Sequence, residues 1–228
     1  MRFKFAVVTV LMCASAAMAN ASIIFQGTFG FDNQVELFSF TSDGVSPVTL
    51  QSFGYAGETA GTTKVPAGGF APNFIVFDST GGQVATDQGG HCGTTNPDPT
   101  TGNCDDPYIS HIFGSGGYNL ALLVWDNVSY DGTLADGFKQ DGNPGFTCSN
   151  NGVDGNFCDV TDPLFSSRTG NYALTIDGAT ATSDLSNPTS APEPATLFLL
   201  FTGVLGVALF QARSRLMSKL QLARKSNS

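Results

Sequence analysis

The chain has 228 residues, 10 basic and 19 acidic side chains and a net charge of −9. A surface of that sign repels nucleic acid and anionic lipid, so a nucleic-acid-binding protein is excluded as a reading. Charged residues are only 13% of the chain while glycine numbers 27, which favours short strands and turns over long amphipathic helices.

In chain order, the first element is an export signal. Arg2 and Lys4 form a positive n-region, Phe5 to Met12 an apolar stretch, and Ala-x-Ala sites follow at Ala17–Ala19 and Ala19–Ala21. The signal peptide is assigned to residues 1–21, with cleavage after Ala19 as the alternative. Removing both ends leaves Lys64, Lys139 and Arg168 against eighteen acids between Ser22 and Ala191, a net charge of −15. The exported domain is thus far more acidic than the precursor.

Residues 22–182 read as one domain of recurring strands. Residues 23–31 alternate, with Phe25, Phe29 and Phe31 on one face. After the turn pair Asp32-Asn33, residues 34–41 place Phe38 and Phe40 together, and Val48 and Leu50 alternate with Thr49 and Gln51. Phe74-Ile75-Val76-Phe77 is a continuous apolar run suited to a strand buried on both faces. A turn at 78–82 then returns the chain toward 83–86. Tyr118 to Trp125 sorts Tyr118, Leu120, Leu122 and Val124 from Ala121, Leu123 and Trp125, and Trp125 is assigned to the core. Tyr172 to Ile176 alternates likewise. Gly117 and Gly170 precede these two strands, suggesting that each closes a similar hairpin. The pattern predicts an all-β, jelly-roll-like sandwich with polar insertions at 89–109 and 126–169. A linker is expected over 183–191.

Four cysteines remain after loss of Cys13. Four in an exported chain imply disulfides, and three pairings are open. Cys92–Cys104 and Cys148–Cys158 are favoured because each pair brackets its own polar loop. Each would stabilise by about 3 kcal/mol at most. Zinc is the alternative, but no C-x-x-C spacing is present and His91 and His111 stand apart from such a pattern.

Catalytic constellations are thin. His91 and His111 are the only imidazoles; Ser110 and Ser115 lie near the latter without a G-x-S-x-G elbow. The exported domain has only Glu36 and Glu58 as glutamates, and Glu36 is assigned to an exposed strand face, so a glycosidase pair is disfavoured. Gly114-Ser115-Gly116-Gly117 lacks the lysine of a phosphate loop. No enzyme is expected. The acids Asp126, Asp131, Asp136 and Asp141 could supply oxygen ligands to Ca²⁺, although the loop lacks EF-hand spacing and aspartate is also an ordinary turn residue. No other cofactor is expected.

The C-terminus is the most specific segment. Pro192-Glu193-Pro194 precedes an uncharged apolar run, assigned as a transmembrane helix over 195–212, and Arg213, Arg215, Lys219, Arg224 and Lys225 follow. The run is at the short end of the about 17–25 residues that span a bilayer, and the basic flank fits the cytoplasmic side. Motif, span and basic end in this order resemble the PEP-CTERM sorting signal, assigned to 192–215 with a cytoplasmic tail over 216–228. That resemblance implies signal peptidase and exosortase as partners, transient residence in the inner membrane, and delivery to the cell surface or exterior. An ordinary single-span anchor is the alternative.

A second resemblance covers most of residues 25–177. Gly68 to Gly81, Phe29–Phe40, Gly116 to Leu120, Asn127, Leu134 to Phe138 and Arg168 to Leu174 resemble PEP-CTERM proteins with a sandwich similar to bacterial pre-peptidase C-terminal domains. Ala71 stands where that group has an aspartate, and Asp87-Gln88 where it has paired aspartates. The two resemblances imply a structural or adhesive surface protein, with exopolysaccharide as a partner. A carbohydrate-binding module, assisted by Ca²⁺, is the alternative, and a secreted hydrolase the more distant one.

Overall fold

The structure is a computed structural model and describes residues 24–60, 63–150, 152–159, 161–162 and 166–186. The strands are β1 (Ile24–Thr28), β2 (Val35–Ser42), β3 (Val48–Ser52), β4 (Glu58–Ala60), β5 (Thr63–Val65), β6 (Pro72–Asp78), β7 (Gln83–Asp87), β8 (Tyr108–His111), β9 (Gly116–Val124), β10 (Asn171–Asp177) and β11 (Ala181–Asp184). A 3₁₀ turn at Leu134–Asp136 and a one-turn helix α1 (Phe146–Ser149) lie in the long insertion.

Two antiparallel sheets form the predicted sandwich, in the orders β1-β10-β3-β8 and β11-β2-β9-β6-β7. The β4–β5 hairpin stands apart from both. Successive strands of the two sheets alternate between them except at the β6–β7 hairpin, so each sheet is built from sequence-distant strands.

Period-two alternation sends every second side chain inward. Phe25, Phe38, Phe40, Leu50, Phe74, Val76, Leu120, Leu122 and Leu174 fill the space between the sheets. Each large apolar side chain taken from water contributes about 1.5–3 kcal/mol. The rings also interlock: Phe29 stacks on Phe70 at 4.9 Å, and Phe40 lies between Phe113 and Tyr118. β6 is buried on both faces, as its apolar run requires. Ile75 and Phe77 join Ala121 and Leu123 beneath Val128, Leu134 and Phe138 of the 126–169 insertion.

Some expectations need correction. Phe31 is 54% exposed because β1 ends at Thr28 and the chain has turned away from the core by then. Trp125 lies beyond β9 and packs, half-buried, against Tyr55, Ala56 and Ala71 rather than between the sheets. Glu36 shares the inward face with Phe38, and its Oε2 is buried without a hydrogen-bond partner. β9 and β10 do not end equivalent hairpins; they sit in different sheets. Gly170 is required by close approach, since a Cβ there would meet the Phe29 carbonyl, whereas Gly117 faces open space. Finally, β11 carries the sandwich to Asp184, past the expected boundary at 182. Leu185 N–H donates to the Leu37 carbonyl and Leu37 N–H to Ser186 Oγ, so the linker begins later than position 183.

Candidate functional site

Both favoured disulfides are present, Cys92–Cys104 with Cα atoms 5.2 Å apart and Cys148–Cys158 at 4.9 Å. The insertions they close are not independent. Arg168 Nε donates to Asp159 Oδ2 and Nη1 to Asp98 Oδ2, both at 2.9 Å. Nη2 lies 2.8 Å from Asp159 Oδ2 but off the hydrogen-bonding direction. These side chains are almost fully buried, the arginine at 6% exposure.

The Arg168 guanidinium also lies over the Tyr55 ring at 4.0 Å, and Tyr55 Oη donates to Asp159 Oδ2 at 2.8 Å. Thr161 Oγ1 donates to Asp159 Oδ1, and Asn103 Nδ2 to the Thr161 carbonyl. One loop supplies Asp98 and Asn103, the other Asp159, Thr161 and Arg168, so a single buried cation fastens the two together.

The electrostatics follow from that burial. Burial alone would lower the Arg168 pKa, but the hydrogen bond to Asp98 and the neighbouring charges hold it above its ordinary value. Burial likewise opposes ionisation of Asp98, yet Arg168 and the N–H groups of Thr101 and Thr100 keep its carboxyl below the usual range. Burial pushes Tyr55 up to about 12. Asp106 is raised by burial, although its carboxylate accepts from Ser52 Oγ and the N–H groups of Tyr55 and Ala56.

Asp32 is a second long-range brace. It reads as a turn residue, but its buried carboxylate accepts from the N–H groups of Gly145, Phe146 and Thr147 and from Thr147 Oγ1. It thereby caps α1, which carries Cys148.

The four candidate Ca²⁺ aspartates are all exposed. Asp136 pairs with Thr133, and Asp141 Oδ2 accepts from the Phe138 N–H at 3.0 Å; each shapes its own turn. Among the described residues no three His, Cys, Asp or Glu side chains converge as metal ligands would.

His91 Nε2 lies 2.6 Å from Asp87 Oδ2, and His111 packs edge-on against Phe113 at 4.8 Å. Asp87 also accepts from the Gly89 and Tyr108 N–H groups, while Gln88 accepts from Trp125 Nε1. Ala71 is buried beneath Trp125. Glu36 and Glu58 lie on separate elements, in β2 and in the β4–β5 hairpin.

Sequence reasoning passed over a groove of about 350 Å³ on the outer face of β1 and β10. Phe53, Ala60 and Val65 seat the β4–β5 hairpin on Ala173, leaving a cleft beside it. Gln26, Thr28 and Asn171 form its floor, and Lys64, Val65 and Pro66 its rim. At the outward positions of β1 and β10, polar Gln26, Thr28 and Asn171 lie beside apolar Ile24 and Ala173, which was the available signal.

Among the described residues no helix is long and apolar enough to cross a membrane. The signal peptide, Pro192-Glu193-Pro194, the span over 195–212 and the basic tail lie outside them. Comparison with curated proteins gave no match. Residues 190–215 match the PEP-CTERM protein-sorting motif, which takes in the Pro-Glu-Pro triplet, the apolar run and Arg213 and Arg215. The chain therefore carries a PEP-CTERM protein-sorting motif, which implies an exosortase substrate exported as a membrane-anchored precursor and sorted to the surface.

Proposed function

We propose that the sandwich is a non-catalytic surface or matrix protein with a structural or adhesive role in the bacterial envelope and its exopolysaccharide. The observation that carries this reading is the joining of a sorting motif to a domain whose cysteines and buried acids brace loops. Asp32, Asp98, Asp106 and Asp159 are occupied in fixing backbone or Arg168. His91 is engaged by Asp87, which supports a bracing part for it as well. In this reading the signal peptide over 1–21 opens the export route, and the span over 195–212 holds the precursor in the inner membrane until exosortase acts. The solvated, strongly acidic surface keeps the exported domain soluble within a hydrated polymer.

The test is fractionation of the exporting cells. The processed protein is expected in the surface or matrix fraction, and its deletion should weaken matrix cohesion or adhesion. Recovery wholly in the free medium, with cohesion unchanged on deletion, would contradict the role. The role needs no cofactor, so chelator should leave the melting temperature unchanged; a Ca²⁺-dependent rise would return the Asp126–Asp141 loop to consideration.

A further inference from the structure

We infer that the groove beside the β4–β5 hairpin binds a carboxylate-bearing sugar, a hexuronate unit of an acidic extracellular polysaccharide. This deepens the matrix role proposed above and rests on it for the setting in which the ligand is met.

Size comes first. A cleft of about 350 Å³ falls at the small end of the about 300–1,000 Å³ typical of ligand sites, suited to a single sugar residue with its linkages.

The floor has the chemistry for hydroxyls. Thr28 Oγ1 donates to Asn171 Oδ1 at 2.8 Å, which fixes the amide plane and leaves Nδ2 to donate elsewhere. Gln26 offers a second amide on the same outward face. An amide both donates and accepts, matching adjacent sugar hydroxyls, each of which does the same. Pro66, which is exposed, gives the rim an apolar edge for the C–H face of a ring.

Charge selects the ligand class. The exported domain carries eighteen acids and three bases, yet no acid lines this groove and Lys64 does. Arg168 is spent in buried ion pairs, and Lys139 is exposed on the 126–169 insertion, away from the residues that line the groove. Lys64 is exposed and makes no ion pair with a described residue. On a surface that otherwise repels anions, this cleft is where a carboxylate finds a cation beside hydrogen-bonding amides.

The experiment titrates the protein, as exported by its host, with oligogalacturonate and with a neutral gluco-oligosaccharide of equal length. Saturable binding of the uronate is expected. Lys64→Gln and Asn171→Ala should each weaken it by about tenfold, the scale of one hydrogen bond left unmade. Lys139→Gln should leave it unchanged, and the neutral oligomer should bind about tenfold more weakly. Melting temperature accompanies each variant, and Gln26→Ala replaces Asn171→Ala if the latter lowers it.

Absence of saturable uronate binding, or binding unmoved by these substitutions, would overturn the site. Equal affinity for the neutral oligomer would overturn the carboxylate assignment. Matrix retention is scored on the same variants: a protein that stays in the matrix without binding uronate sinks the groove alone. Loss of the wild type from the matrix sinks the wider role.

Discussion

The sandwich and its two insertions are stabilised by opposite means. Between the sheets, Phe38, Phe40, Phe74, Leu120 and Leu122 are removed from water and make almost wholly apolar contacts. Across the insertions, apolar anchors such as Phe146 and Phe157 are joined by buried polar groups, among them Asp98, Asp106, Asp159 and Arg168, held by directional hydrogen bonds and closed by two disulfides. The first arrangement tolerates many sequences of suitable volume, whereas the second depends on every partner being present. A domain short of helices and rich in loops therefore obtains rigidity outside its core through a small buried polar layer.

The largest effects should come from breaking either layer at its centre. Phe38→Ala should cost about 3–5 kcal/mol by leaving a cavity, read as a lower urea midpoint for the whole domain. Arg168→Met should cost a similar about 3–5 kcal/mol, because Asp98 and Asp159 would be left buried and unpaired. The two differ in rescue. Adding Asp98→Asn and Asp159→Asn to Arg168→Met should restore part of the loss, while no polar substitution should rescue Phe38→Ala.

Next in size, Asp32→Ala strands the amide donors at the start of α1 and should cost about 2–3 kcal/mol. Hydrogen exchange should show faster opening around Phe146–Cys148 than in β9. Replacing either cysteine pair by serine should cost about 3 kcal/mol at most, read by urea denaturation without reductant. Peptide mass mapping that found Cys92 joined to Cys148 would contradict the pairing outright.

The smallest effect is in pH dependence. Asp98 has a folded pKa below its unfolded value, so its stabilisation is complete above about pH 4 and is lost as pH falls through the folded value. Asp106 has the opposite sign: its raised folded pKa makes it relatively more favourable as pH falls. Asp98→Asn should therefore flatten the acid limb of the stability profile. An unchanged limb would show that Arg168 does not hold Asp98 ionised.

The sequence was most legible where period and burial coincide. Phe74–Phe77 and Tyr118–Val124 announce β6 and β9 because strands at the centre of a sandwich need large apolar residues. β11, reading Ala-Thr-Ser-Asp, and β4, reading Glu-Thr-Ala, gave no such signal; each is short, and β11 is paired by β2, distant in sequence, while β4 pairs only with β5 in a small local hairpin. The cysteine pairing was readable from loop spacing.

The polar layer was not readable. Asp32, Asp98 and Asp159 have the composition of turns, and only the fold brings Asp32 to Thr147 and Asp98 to Arg168. Arg168 stood out only as one of three bases in the exported domain and as part of a resemblance. Trp125 shows the converse error: its size suggested the core, but it lies one residue past the end of its strand. The groove was hidden for a related reason, since Gln26, Lys64 and Asn171 are ordinary outward residues until the hairpin walls them in.

All of this presupposes a chain that leaves the cytoplasm and loses its sorting signal. Intact-mass analysis of the protein recovered from the cell surface tests that most directly. The expected species begins at Ser22, or at Asn20 if cleavage follows Ala19, contains both disulfides and ends near Pro192–Ala195. A surface protein that still carries Phe210 and the basic tail to Ser228 would contradict exosortase processing.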